Sequence, residues 1–330
     1  MNNRILKRIM LLATCLALGV VVLGAYVRLS DAGLGCPDWP GCYGHLTVTQ
    51  AEQAAAEVSK AYPDRPLVAH KAWKEMIHRY FASTLGLLIV IIAVLAWRRR
   101  AMTGTQWKLP LFLVVLVIFQ GLLGMWTVTL LLKPVIVMLH LLGGMTTLSL
   151  LWWLYMRESH FAESGVSGPS GSLQGVALLG LIIVACQIAL GGWTSANYAA
   201  LACPDFPTCQ NSFWPPMDFA AGFDPWHGLG IDYEGGILHN SARVAIHVTH
   251  RIGALVTLVV LLWLAIRASK NTALGTAGGL VMGAVILQFM LGIIMVVTQL
   301  PLPLAVAHNG IAALLLLAVV NLNKVVRVEN

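Results

Sequence analysis

The sequence predicts an all-α membrane protein with eight transmembrane helices, arranged as two pseudo-symmetric four-helix bundles. The 330-residue chain is 58% hydrophobic and only 11% charged, whereas about a quarter of the residues of a soluble domain are charged. Eight apolar stretches are each about 20 residues long, as a membrane span requires. The chain also repeats itself, because "LGAYVRLSDAGLGCPDWPGC" from Leu23 aligns without a gap on "LGGWTSANYAALACPDFPTC" from Leu190.

The apolar stretches define the predicted spans and halves. They cover about 9–27, 76–97, 109–130, 136–156, 175–196, 244–266, 275–298 and 304–322. The first could be a secretory signal, since basic residues precede its apolar core, but its end belongs to the repeat, which favours a retained helix. The repeat spacing is about half of the chain, so we expect two copies of one unit. These are an N-terminal half (1–164), a linker (165–174) that includes "GVSGPSGS", and a C-terminal half (175–330).

Basic residues determine the predicted orientation. They precede the first span, separate the second from the third and the sixth from the seventh, and follow the eighth. All these positions lie on one side, and positive loops favour the cytoplasm. We therefore expect a multi-pass protein of the cell inner (plasma) membrane, with both termini cytoplasmic and two long loops, about 28–75 and 197–243, on the periplasmic side. Topology explains the net charge of +7 without a nucleic-acid partner.

Four of the six cysteines lie in the long loops. Cys36 and Cys42 belong to the first repeat, and Cys203 and Cys209 to the second. Because this side of the membrane is oxidising, we favour one disulfide within each repeat, Cys36–Cys42 and Cys203–Cys209. Redox-active thiols and a metal site are alternatives, although the spacing is wider than that of a typical zinc pair.

Four histidines lie within the predicted spans at similar depth. His78, His140, His250 and His308 each fall in the first turns of an even-numbered span, and these spans all start on the same side. Polar residues inside a membrane are costly and indicate function. Two histidines from facing helices of an apolar bundle suit both axial faces of a haem iron. Interhelical hydrogen bonding and a redox or proton pathway without haem are alternatives.

The neighbours of these histidines repeat as well. "IHRYFASTLGLL" around His78 is similar to "THRIGALVTLVV" around His250, and an arginine directly follows each histidine. Arg79 and Arg251 are therefore candidates to bind haem carboxylates at the polar end of the slot. The alternative is that both side chains extend to the membrane interface.

One position breaks the symmetry between the halves. Glu75 lies three residues before His78 on the same helix face, whereas His247 occupies the matching position before His250. A carboxylate beside one haem predicts that this site does chemistry and that the other transfers electrons. A solvated glutamate at a helix start is the alternative, and a metal site of His239, His247 and His250 is a weaker one.

Together these features resemble the haem A synthase family, membrane enzymes that convert haem O to haem A for terminal oxidases. The resemblance covers nearly the whole chain and rests on "EMIHR" at 75–79, His140, "VTHR" at 248–251, His308 and a cysteine pair in each long loop. It implies an oxidoreductase that oxidises the C8 methyl group of haem O stepwise to a formyl group, with water as the oxygen source.

The resemblance also implies roles for the site residues. His78 and His140 would bind haem O, with Glu75 as base or electrostatic partner. His250 and His308 would ligate a resident haem b as cofactor. The Cys36–Cys42 pair corresponds to the family's pair proposed to aid haem handling, and the Cys203–Cys209 pair to a structural one.

The implied partners are haem O, membrane lipid, haem O synthase (protohaem farnesyltransferase) and an electron acceptor that no motif identifies. Small-residue runs such as "GLLGM" leave a homo-oligomer open. The residues alone also allow a dihaem b-type membrane electron carrier or a haem-binding chaperone. A carrier across the membrane needs haems at two depths, whereas these four histidines lie at one.

Overall fold

The computed structural model describes residues 3–103, 107–159, 171–272 and 274–328, and every regular element within them is a helix. The helices are α1 (Asn3–Leu29), α2 (Val48–Gln53), α3 (Ala55–Ala61), α4 (Ala69–Thr103), α5 (Lys108–Thr129), α6 (Pro134–Ser159), α7 (Gly171–Ala196), α8 (Phe219–Gly222), α9 (Asn240–Ser269), α10 (Gly275–Val297) and α11 (Leu302–Val328). All but the short α2, α3 and α8 are long and apolar enough to cross a membrane. The predicted eight-span membrane protein is confirmed.

Several helices extend beyond the predicted apolar spans. α4 begins at Ala69 rather than near residue 76, and its first turns carry polar residues such as Lys71 and Lys74. A search for apolar stretches does not predict these first turns as helix, because their residues are polar. Of the predicted linker, residues 165–170 lie outside the described part of the chain, and α7 already begins at Gly171.

The eight long helices form two closed rings of four. In the first ring α1, α4, α5 and α6 pack in order and α6 packs back on α1, and α7, α9, α10 and α11 repeat this pattern in the second ring. Between the rings, α1 packs on α11 and α6 packs on α7. Since α1 corresponds to α7 and α6 to α11 in the repeat, the α1–α11 contact and the α6–α7 contact are equivalent to each other. This is consistent with two pseudo-symmetric four-helix bundles.

Contacts between equivalent residues occur where the halves meet. Arg28 Nη2 donates to the Ser195 carbonyl over 2.9 Å, and the Tyr198 hydroxyl donates to Asp31 over 3.4 Å. The residues of each pair are 167 positions apart, which is the repeat spacing. Across a two-fold interface, residues near the axis meet their own symmetry mates.

The long loops pack on helix starts at one end of the rings, here called the loop end. Cys36, Cys42 and Tyr43 of the first loop form a small apolar core with Ala72 and Met76 of α4. The second loop does the same on α9, where Cys203 and Cys209 pack with Val244. The fold therefore brings both cysteine repeats to the end at which the histidine-bearing helices α4, α6, α9 and α11 begin.

Candidate functional site

The structure places each pair of predicted histidines inside one ring. His78 on α4 and His140 on α6 lie in the first ring, and His250 on α9 and His308 on α11 lie in the second. Within a ring these two helices stand at opposite corners, because they share no extensive contact. Each imidazole contacts the helix next to its own in the same ring, as His78 does on α1 and His140 on α5. Each pair thus lies within the helices of one ring.

Each imidazole packs against a glycine of the neighbouring helix, a feature that the sequence analysis did not predict. A Cβ at Gly24 would lie only 3.0 Å from Cε1 of His78, closer than an unstrained carbon contact of about 3.5–4.0 Å. The four pairs are Gly24–His78, Gly124–His140, Gly191–His250 and Gly292–His308, at 3.0, 3.4, 3.2 and 3.3 Å. The glycines recur at the repeat spacing, which is the signal that could have found them.

Several nitrogen atoms of these histidines have no protein partner. Nδ1 is buried without a hydrogen bond in His78, His140 and His308. In the second ring, Gln187 Nε2 lies 3.0 Å from His250 Nδ1, and Gln288 Nε2 lies 3.1 Å from His308 Nε2. Buried polar atoms in native proteins are normally satisfied. Imidazole nitrogens left unpaired in apolar rings therefore indicate a site for a group that binds through them.

The loop cysteines form the two predicted disulfides, Cys36–Cys42 and Cys203–Cys209. All four loop thiols are used in these bridges, so the metal alternative for them is wrong.

The aspartate of each repeated Cys-Pro-Asp stabilises its loop by accepting hydrogen bonds from backbone N–H groups of the same loop. Asp38 accepts from the backbone N–H of Tyr43 over 2.6 Å and from that of Gly44 over 2.7 Å.

Asp205 stabilises the second loop in the same way as Asp38 stabilises the first. Its carboxylate accepts from the backbone N–H groups of Gln210 and Asn211 over 2.6 and 3.0 Å, and also from the Thr208 hydroxyl. The Thr208 hydrogen bond, with those from the backbone, holds the pKa of Asp205 below its usual range. The aspartate of the repeated motif thus folds the loop in the same way in both halves.

The two arginines that follow His78 and His250 hold these loops on their helices. Arg79 Nη1 donates to the carbonyls of Asp38 and Gly41 over 3.0 and 2.5 Å. Arg251 donates to three carbonyls of the second loop, those of Cys203, Asp205 and Thr208, over 3.0, 2.7 and 2.8 Å. Their predicted role at haem carboxylates stays a prediction, and their observed partners are loop carbonyls.

The asymmetry at Glu75 involves a buried carboxylate. Glu75 is 5% exposed, and its Oε2 accepts from the Cys36 N–H over 2.9 Å while Oε1 pairs with Arg79 Nη2 at 2.5 Å. The alternative of a solvated residue at a helix start is wrong, because Glu75 is buried and lies in the second turn of α4. It joins the first disulfide loop to the helix that carries His78.

His247, at the position matching Glu75, is also buried, and its Nδ1 lies 3.0 Å from the Ala199 carbonyl. His239 instead pairs with Asp218 at 3.2 Å. In the described ranges no group of three or more His, Cys, Asp or Glu side chains could hold a metal ion. The weaker metal site of His239, His247 and His250 is therefore not formed.

Fold and site together define a class of protein: a multi-pass membrane protein with two four-helix rings, each containing a pair of partly buried histidines beneath a disulfide-bonded loop. The COX15-CtaA family model, described as cytochrome oxidase assembly protein, matches residues 7–320. The chain belongs to this family.

Relatives match over nearly their whole length. A protein of Shewanella oneidensis named Heme A synthase is 47% identical over 318 residues, which cover 96% of this chain and 94% of that protein. Proteins of the same name from Methylobacterium radiotolerans and Rhizorhabdus wittichii are 30% and 27% identical, covering 93% and 94% of this chain and 86% and 90% of their own.

Each arginine should protect its own disulfide. In Arg79→Gln, the first loop loses the side chain that holds its carbonyls, so local opening becomes more frequent. We expect the Cys36–Cys42 bridge to be reduced several-fold faster by an added thiol, measured by alkylation and mass spectrometry. Arg251→Gln is the reciprocal control and should accelerate reduction of Cys203–Cys209 alone. Equal effects on both bridges in either variant would contradict the assignment.

Proposed function

We propose that this protein is a haem A synthase, an oxidoreductase that converts haem O to haem A for cytochrome oxidase assembly. The observation that carries the proposal is the buried carboxylate of Glu75, which lies one helical turn from His78 and has no counterpart beside His250. The family and the names of the relatives support the same activity.

The two halves have different tasks in this proposal. The N-terminal half (1–164) binds haem O through His78 and His140, and the C-terminal half (175–330) holds haem b through His250 and His308. Both imidazoles of the first ring, and His308 in the second, have a buried Nδ1 without a hydrogen-bond partner. Imidazole pairs in apolar rings would be able to hold a haem iron through their nitrogens. The close glycine contacts fix the orientation of the imidazoles.

The proposed reaction releases electrons and protons, and each site residue has a role in handling them. Oxidation of a methyl group to a formyl group with oxygen from water releases four electrons and four protons, which pass to an acceptor and to solvent. Haem b, when bound, supplies one-electron transfer. Glu75 can accept a proton or stabilise positive charge that develops beside the methyl group. Arg79 and the Cys36 N–H hold its carboxylate in place.

The disulfides support the proposed orientation in the membrane. Disulfides persist in oxidising compartments, so we place the loop end on the periplasmic side of the cell inner membrane and both termini in the cytoplasm. The basic residues at the opposite helix ends agree with this orientation. Haem O synthase would then deliver the substrate, either from the membrane or by direct contact.

Replacing the carboxylate tests the enzyme against the electron carrier. In Glu75→Gln the shape is kept and the charge is lost, so we expect haem A formation to fall by about a hundredfold or more. Haem b should remain bound at the wild-type level. The measurement is chromatography with mass spectrometry of haems extracted from protein co-expressed with a source of haem O. Glu57→Gln on α3, where the glutamate is exposed, is the control.

Undiminished haem A in Glu75→Gln would contradict the role of the carboxylate. If the wild type contained only unmodified haem b at two equivalents, the dihaem carrier would replace the synthase.

The contact between His78 and Gly24 provides a second test. In Gly24→Ala the new methyl group would crowd the imidazole, and overpacking of this kind costs about 1–3 kcal/mol. We expect haem O affinity to fall roughly tenfold, measured by absorbance titration, with haem b content unchanged. Gly19→Ala on the same helix is the matched control, because no atom lies within 4 Å of its added Cβ. Equal effects of the two variants would show that the contact is unimportant.

A further inference from the structure

The second long loop reaches over the first ring. Residues 224–236, here called the crossing segment, follow α8 in the C-terminal half. Tyr233 in this segment nevertheless donates its N–H to the Leu131 carbonyl, in the turn between α5 and α6, over 3.0 Å. Asp232 pairs with Arg65 of the first loop at 2.7 Å. The crossing segment therefore covers part of the loop end of the N-terminal half.

Lys133 lies beneath the crossing segment. The residue is only 1% exposed, its Nζ donates to the Gly228 carbonyl over 2.9 Å, and the same atom lies 2.9 Å from the centre of the Trp226 ring. Among the residues that the structure describes, no carboxylate forms an ion pair with it. Burial lowers the pKa of Lys133, as expected for an ammonium group with no counter-ion.

Lys133 and His140 occupy the same face of α6. The Lys133 carbonyl accepts from the Val137 N–H over 3.1 Å, so the residue is already in register with the helix. Seven positions along a helix are almost two turns, with a drift of only about 20° and a rise of about 10 Å. Lys133 thus lies on the same side of α6 as His140, about 10 Å closer to the loop end.

Three other cations at this end of the N-terminal half have acidic partners. Arg79 is bonded to loop carbonyls and to Glu75, Arg65 pairs with Asp232, and Lys71 lies 3.7 Å from Glu234. Lys133 has only a carbonyl and a ring. The second half has no equivalent cation, because Pro301 occupies the matching position before α11.

We propose that Lys133 binds a carboxylate of haem O in the N-terminal half, an inference that rests on the function proposed above. A haem ligated by His140 carries its carboxylates on the edge of the macrocycle, and the polar loop end is where they find a cation. The carboxylate replaces the Gly228 carbonyl and the Trp226 ring as partners of the ammonium group, and the crossing segment adjusts above it. Because the C-terminal half has proline here, the contact belongs to the substrate half alone.

The test compares haem O with its dimethyl ester, which lacks the negative charges. Purified protein that retains haem b is titrated with each compound, and binding is followed by absorbance. We expect Lys133→Gln to weaken haem O binding about tenfold or more and to leave ester binding unchanged. Lys133→Arg should restore haem O binding. Lys71→Gln, which removes an ion-paired lysine of the same end, is the control and should change neither.

Trp226→Leu separates charge from packing. This variant removes the ring and keeps the ammonium group, so haem O should bind as tightly as in the wild type or more tightly. A loss equal to that of Lys133→Gln would overturn the proposal, because packing of the crossing segment would then carry the effect. Equal losses for haem O and its ester in Lys133→Gln would overturn it too.

The two proposals fail in different ways. If the wild type binds haem O through His78 and His140 and Lys133→Gln binds it equally well, only the role of Lys133 is wrong. If the wild type does not bind haem O at these histidines, the proposed function fails and the role of Lys133 fails with it.

Discussion

The structure depends on four partly buried imidazoles that lie between membrane helices. A polar side chain at such depth is costly unless a partner satisfies its nitrogen atoms, and three of the four have a buried Nδ1 without one. Each imidazole packs against a glycine of the adjacent helix, which leaves room for the imidazole ring. In each four-helix ring, the two helices that carry histidines stand at opposite corners. The haem binding proposed above would account for these features together, since haem iron bonds imidazole and the macrocycle fills apolar space.

Duplication of one four-helix unit explains the features that the two halves share. The positions at which the halves differ bear on their separate functions. Both halves share the ring, the glycine contacts, the disulfide loop and the arginine that holds that loop. They differ where one half has Glu75 and the other His247, and where one has Lys133 and the other Pro301. Both differences give the N-terminal half a charged group near its histidines. In the proposed function, these differences let a shared scaffold keep one haem as a cofactor and present the other for reaction.

The sequence was sufficient for features with a strong local signal. Apolar length predicted the eight membrane helices, and the repeat predicted the pairing of Cys36 with Cys42. The contacts of Arg79 were missed, because loop carbonyls close around it only in three dimensions. Gly24 was missed because a glycine in an apolar helix has no chemical signature of its own. Lys133 was missed because its surroundings come from a loop of the other half, about 95 residues away.

In the proposed function, the C-terminal histidines hold a resident haem and the N-terminal histidines hold the substrate. Protein purified from cells that lack haem O synthase tests it directly, because such cells supply no substrate. The haem b content per chain should be unchanged in His78→Ala and lost in His250→Ala. Loss of haem b from His78→Ala, with retention in His250→Ala, would contradict the assignment of the two halves.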